Sequence, residues 1–157
     1  MPCSMEKDLQ LISIKLRELS KLKPTASYIV EVDEALASKH EGIKVCAAKT
    51  LGAWGDSSSI EKLKNLLETI AKLEARWGAA SAISRALAPN LNDEDIPWVV
   101  NLILRNSNCR NRFVLYQLFQ YLSESECIRQ LEKEELSGGI DKKQVRYARN
   151  AILRART

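Results

Sequence analysis

The sequence predicts an all-α fold: an α-solenoid of about four helical hairpins behind an N-terminal capping helix. Apolar residues recur at helical spacing nearly throughout, as in Leu9, Ile12, Leu16 and Leu19, then Ile29, Val32 and Leu36, then Ile60, Leu63, Leu67 and Ile70. No stretch alternates β-branched residues, and 6 glycines with 4 prolines leave little turn chemistry for a sandwich. One ten-residue pattern also returns at offsets of 32, 35 and 35. Self-similarity at such a period marks helical hairpins stacked in a row.

Caps and breakers place the elements in order. Nine helices are expected, at about 5–22, 25–38, 41–54, 58–73, 75–88, 94–105, 109–122, 124–136 and 142–155. Ser58-Ser59-Ile60-Glu61 and Ser123-Glu124-Ser125-Glu126 have the Ser-x-x-Glu form of a capping box. Asn92-Asp93-Glu94-Asp95 sets a cap and acids before a helix that tolerates Pro97 in its first turn. Gly55-Asp56, Pro89-Asn90 and Gly138-Gly139 separate the segments. The repeated pattern starts at Ile43, Ala75, Arg110 and Val145. Its fifth position holds Ala47, Ala79 and Val114, and its ninth Leu51, Ile83, Leu118 and Leu153, so these residues are expected at the buried hairpin interfaces.

Ile43 to Leu51, followed by Gly52-Ala53-Trp54-Gly55-Asp56, resembles the second helix of a short HEAT repeat: an aliphatic, a basic residue, paired alanines, Leu-Gly, then Gly-Asp. Val145-Arg146-Tyr147-Ala148 repeats the opening of that pattern. The resemblance implies one HEAT-like domain over 1–157, with a cap helix at 5–22 and hairpins 25–54, 58–88, 94–122 and 124–155 in one right-handed row. The tetratricopeptide spacing of Trp, Leu-Gly and Tyr is absent. HEAT arrays serve scaffolds, inhibitors, transport factors and a few enzymes, so the likeness speaks to fold more than to function.

Composition narrows the classes. The chain has 157 residues, 45% hydrophobic and 28% charged, enough apolar material for a core. No apolar run approaches the roughly 18 residues of a membrane span. Met1 to Asp8 turns polar at once, without a signal peptide's apolar segment, so a cytoplasmic protein is expected. Cys3, Cys46, Cys109 and Cys127 are scattered and His40 is the single histidine, which argues against a zinc site. The cysteines read as free thiols and no metal is expected.

Charge separates by helix type. The second helices with their flanks (41–54, 74–87, 109–122, 141–157) hold 12 Lys or Arg against 3 acids, a net +9. The other helices (5–22, 25–38, 57–73, 93–105, 124–136) hold 10 against 16, a net −6. The HEAT resemblance implies that second helices line the concave face, hence a basic groove and an acidic back. A plainer explanation is a solubilising terminal helix, since six of the 12 cations lie beyond Asp141.

The third and seventh positions of the pattern share a helix face one turn apart, and they carry Trp77, Arg112, Tyr147 and Lys49, Tyr116 among others. Trp, Tyr and Arg are the residue types that anchor binding surfaces, although Trp77 and Tyr116 are equally read as wedges between hairpins. The expected partner-binding residues are Lys49, Arg76, Trp77, Arg85, Arg112, Tyr116, Arg146, Tyr147 and Arg149. Trp54 and Trp98, at a helix end and a helix start, read as packing between repeats. No Gly-x-Ser-x-Gly, phosphate loop or His-Glu-x-x-His occurs, and His40 falls in an inter-helix turn. HEAT-like alkylpurine DNA glycosylases join a basic face to aromatics and an acid, but no motif here holds that acid. The expectation is therefore a non-enzymatic binding module without cofactor. An acidic protein surface is the first partner, with nucleic acid and an unrecognised enzyme as the alternatives.

Overall fold

The computed structural model describes residues 2–72, 77–106 and 112–155, with side chains over 7–71, 78–106 and 113–155. Among the described residues every regular element is helical, and no strand occurs. The helices are α1 (Pro2–Leu19), α2 (Ala26–Leu36), α3 (Glu41–Trp54), α4 (Ser57–Lys72), α5 (Trp77–Leu87), α6 (Ile96–Arg105), α7 (Arg112–Leu115), α8 (Glu124–Ser137) and α9 (Lys142–Arg154). The protein is all-α, and no described helix is long and apolar enough to cross a membrane.

Local chemistry sets most of these ends. Thr25 caps α2 by accepting from the Tyr28 amide, and Ser123 caps α8 by accepting from the Glu126 amide. Asn92 and Asp95 exchange bonds ahead of α6: the Glu94 amide donates to Asn92 Oδ1 and the Asn92 amide to Asp95 Oδ2, each at 2.9 Å. Gly55 ends α3 in the left-handed region at φ 66°, and its amide donates to the Leu51 carbonyl. The cap of α4 differs from the expected Ser58 box. Asp56 accepts from both the amide and the hydroxyl of Ser59, so the helix starts one residue earlier, at Ser57. The Ser59 hydroxyl, the largest cause, holds the Asp56 carboxyl below the usual aspartate range.

The chain divides inside α4 into two compact units, Met1–Asn65 and Leu66–Thr157. In the first, α3 packs against both α1 and α2. Buried Ile43, Ala47, Ala48 and Leu51 of α3 supply its core with Leu16, Leu19 and Val32. Two polar side chains one turn apart on α3 fasten the end of α1: Thr50 Oγ1 donates to the Leu16 carbonyl at 2.9 Å, and Trp54 Nε1 to the Leu19 carbonyl at 3.0 Å. Asp33 and Lys62 pair α2 with α4 at 2.9 Å.

In the second unit, α5 and α6 are the most buried helices described. Ala79, Ala80, Ile83 and Leu87 of α5 and Val99, Val100, Leu102 and Ile103 of α6 are all at most 2% exposed. Trp98 Nε1 donates to Glu68 Oε1 at 2.7 Å, which ties α6 to α4. Both described tryptophan side chains thus join neighbouring helices.

Two expectations are corrected here. The helix expected at 109–122 is broken: α7 has 4 residues and continues as a 3-10 turn over Tyr116–Phe119, while 109–111 lie outside the described residues. Phe113, Val114, Tyr116 and Phe119 are aromatic or β-branched and lose rotamer freedom in an α-helix, and a short 3-10 piece is a common resolution. Leu153 is 47% exposed rather than buried, and α9 faces the core with Val145, Ala148 and Ile152. The register from α7 to α9 is therefore 34, one less than the pattern suggested, carrying Val114 onto Ala148 and Leu118 onto Ile152. Ala47, Ala79, Leu51, Ile83, Val114 and Leu118 are buried as expected.

Candidate functional site

The second unit carries a cleft of about 680 Å³ between the α7 segment and α9. One wall presents Phe113, Tyr116, Gln117 and Gln120. The facing wall presents Tyr147, Asn150, Ala151 and Arg154, with Ala155 at its end. Each wall is an i, i+3, i+4, i+7 stripe, and adding 34 to the first four residue numbers yields the second four. The offset is the one that relates the buried residues of the two segments. Both walls are thus held from behind in the same way, by Leu115, Leu118 and Phe119 on one side and Ala148 and Ile152 on the other.

Asp141 fixes where α9 starts, since its carboxylate accepts from the Lys143 amide at 2.9 Å. From that start the helical period brings Tyr147 to the cleft. Lys143 and Arg146 each stand 5.9 Å from the Tyr147 ring centroid, within cation–π range. Across the cleft Phe113 and Tyr116 meet edge to face at 6.0 Å, and Tyr116 stacks on Phe119 at 6.5 Å. Phe113 is 57% exposed, a large apolar surface to leave in water.

Among the described residues no carboxylate, histidine or cysteine lines this cleft. Its chemistry is aromatic faces, three carboxamides and one guanidinium. Such a set can bind and orient a ligand through ring faces, amides and charge. No group of three or more His, Cys, Asp or Glu able to hold a metal occurs among the described residues.

Of the sequence-derived residues, Tyr116 and Tyr147 come together in the cleft, and Arg146 flanks it on the Tyr147 ring. Arg149 turns instead to α8, pairing with Glu135 at 3.8 Å. Arg85 is exposed on α5 and does not line the cleft, and Lys49 is exposed on α3 in the first unit. Arg76 and the side chains of Trp77 and Arg112 lie outside the described residues. Sequence reasoning passed over Phe113, Gln117, Gln120, Asn150 and Arg154, because the pattern offset of 35 does not pair these positions.

The first unit has a smaller cleft of about 530 Å³ along α1 and α2, with Leu9, Ile12, Leu16 and Ala35 among its lining residues. Its polar lining includes one ion pair, although Glu31 Oε2 is buried without a hydrogen-bond partner. Lys15 Nζ meets Glu31 Oε1 at 2.8 Å, and that hydrogen bond raises the Lys15 pKa above its ordinary value. His40 also lines it, in the turn before α3. No protein-family model, no curated protein and no solved structure matches this chain.

Proposed function

We propose that the protein is a HEAT-like helical-repeat module that binds an acidic protein partner, without catalysis, through the cleft between the α7 segment and α9. The observation that carries this reading is the pair of matched walls. Equivalent positions of two successive segments face each other, rich in aromatics and amides, with cations beside them and no lining carboxylate among the described residues. The repeat reading draws further support from burial that recurs in register, from Ala47 to Ala79 to Val114 to Ala148 and from Leu51 to Ile83 to Leu118 to Ile152. An acidic surface suits a cleft with Arg154 inside and Lys143 and Arg146 at Tyr147, because complementary charge speeds encounter while a buried aromatic anchor slows release.

Affinity capture from native lysate, with and without nuclease, tests the assignment. A protein retained after nuclease treatment and lost from the Tyr147→Ala variant is the expected result. Loss of all bound material on nuclease treatment would replace the protein partner by nucleic acid, whose binding would also fall steeply with salt.

A further inference from the structure

We infer that the α7–α9 cleft grips an extended, acidic peptide segment by its main chain, with Gln117, Gln120 and Asn150 as the backbone clamp. This deepens the proposed function and rests on it, since the cleft must first be the binding site.

The three carboxamides carry the inference. Each offers both a donor and an acceptor, the same pair that a peptide unit presents. None has a side-chain hydrogen bond to another described residue, so their capacity is open to a ligand. A helical ligand would bring backbone groups already bonded to each other. An extended segment brings amides and carbonyls that still need partners once water leaves. The wall from Tyr147 to Arg154 is about 10 Å long by helical rise, which matches about three residues of extended chain.

Successive side chains of such a segment point to opposite sides. One set then meets Phe113 and Tyr147, and the other reaches Arg154 at the end of the cleft. A ligand alternating apolar residues with Asp or Glu satisfies both sets, and no carboxylate among the described lining residues repels it. A nucleic-acid strand fits less well, because Arg154 with Lys143 and Arg146 at Tyr147 would neutralise few phosphates.

The test is fluorescence anisotropy of the full chain with a labelled peptide of eight residues, Asp alternating with Phe and Leu. Three further probes accompany it: the same peptide N-methylated along its central backbone, a hydrocarbon-stapled helix of the same composition, and an oligothymidylate of equal charge. The parent peptide should saturate one site. Each of the three probes should bind at least about tenfold more weakly, the scale of two lost hydrogen bonds. Gln117→Ala with Asn150→Ala should weaken the parent peptide by a similar factor and leave the N-methylated one nearly unaffected, the coupling a double-mutant cycle detects. These side chains are not buried, so circular dichroism should report an unchanged fold.

Equal binding of the parent and N-methylated peptides, or tighter binding of the stapled helix or the oligonucleotide, would overturn the inference. So would no binding of the parent. If that happens while Tyr147→Ala still releases the nuclease-resistant partner, the extended clamp is wrong and the binding role stands. If Tyr147→Ala leaves that partner bound, both fall.

Discussion

Leu118 lies beneath the first wall of the cleft, fully buried between neighbours on the 3-10 turn, and Leu118→Ala removes about three methylene-sized groups there. The transfer loss is about 2 kcal/mol. A cavity of up to about 75 Å³, at roughly 24 cal/mol per Å³, adds as much as about 1.8 kcal/mol. The expected destabilisation is therefore about 2–4 kcal/mol, the upper end applying if Leu115 and Phe119 do not relax into the space. Leu153→Ala is the matched control, because the same side chain stands 47% exposed on α9. It forfeits about half the transfer energy and leaves no cavity, so it should cost about 1 kcal/mol or less. Urea denaturation read by far-UV circular dichroism measures both against the parent chain. A cost below about 1 kcal/mol for Leu118→Ala, or a Leu153→Ala cost equal to it, would refute the register that places the two walls.

Asp56→Ala should destabilise by about 0.5–1 kcal/mol at neutral pH, the low end of a lost cap because Asp56 is exposed. The folded-state pKa of Asp56 is lowered, so its contribution is present above the unfolded-state value and fades as pH falls from about 4 downward. The gap between parent and Asp56→Ala melts should close over that acid range. Thr50→Val keeps the shape but deletes the donor to Leu16, and should cost about 1 kcal/mol in the same urea assay. The Leu16 carbonyl still accepts from the Ser20 amide, which limits the loss. Arg149→Ala should change stability by no more than about 0.5 kcal/mol, because its pair with Glu135 is solvated on both sides. It should also leave partner capture intact, whereas Arg154→Glu should slow association.

The helices were legible because their signals are local: periodicity, the caps at Ser123 and Asn92, and the glycine breaks. The cap of α4 was misread because Ser58 and Asp56 both offer acceptors near the same turn, and only backbone geometry after Gly55 decides between them. The register of α9 slipped because Ala151, Ile152 and Leu153 are consecutive and aliphatic, so sequence alone permits two phases. Packing against α6 and α8 selects the one that buries Ile152. Tyr116 and Tyr147 could be picked out as aromatics on a shared face. The amides could not, since Gln and Asn have no pattern until a facing wall gives them something to line. Counting cations by helix type does not distinguish their surroundings: Arg149 pairs with Glu135, Arg146 lies on Tyr147 and Arg154 enters the cleft.

The tightened turn over Tyr116–Phe119 has an angular consequence. A 3-10 segment advances about 120° per residue where an α-helix advances about 100°, so the four residues accumulate roughly 80° of extra rotation. Tyr116 and Phe119, three residues apart across that turn, stack at 6.5 Å with 19° between their ring planes, and Gln120 follows at the end of the turn. The aim of the first wall thus resides in the pitch of the backbone as much as in which side chains it carries. Phe119→Ala, which favours α-helix there and keeps every lining residue, would rewind the turn and shift the bearing of Gln120.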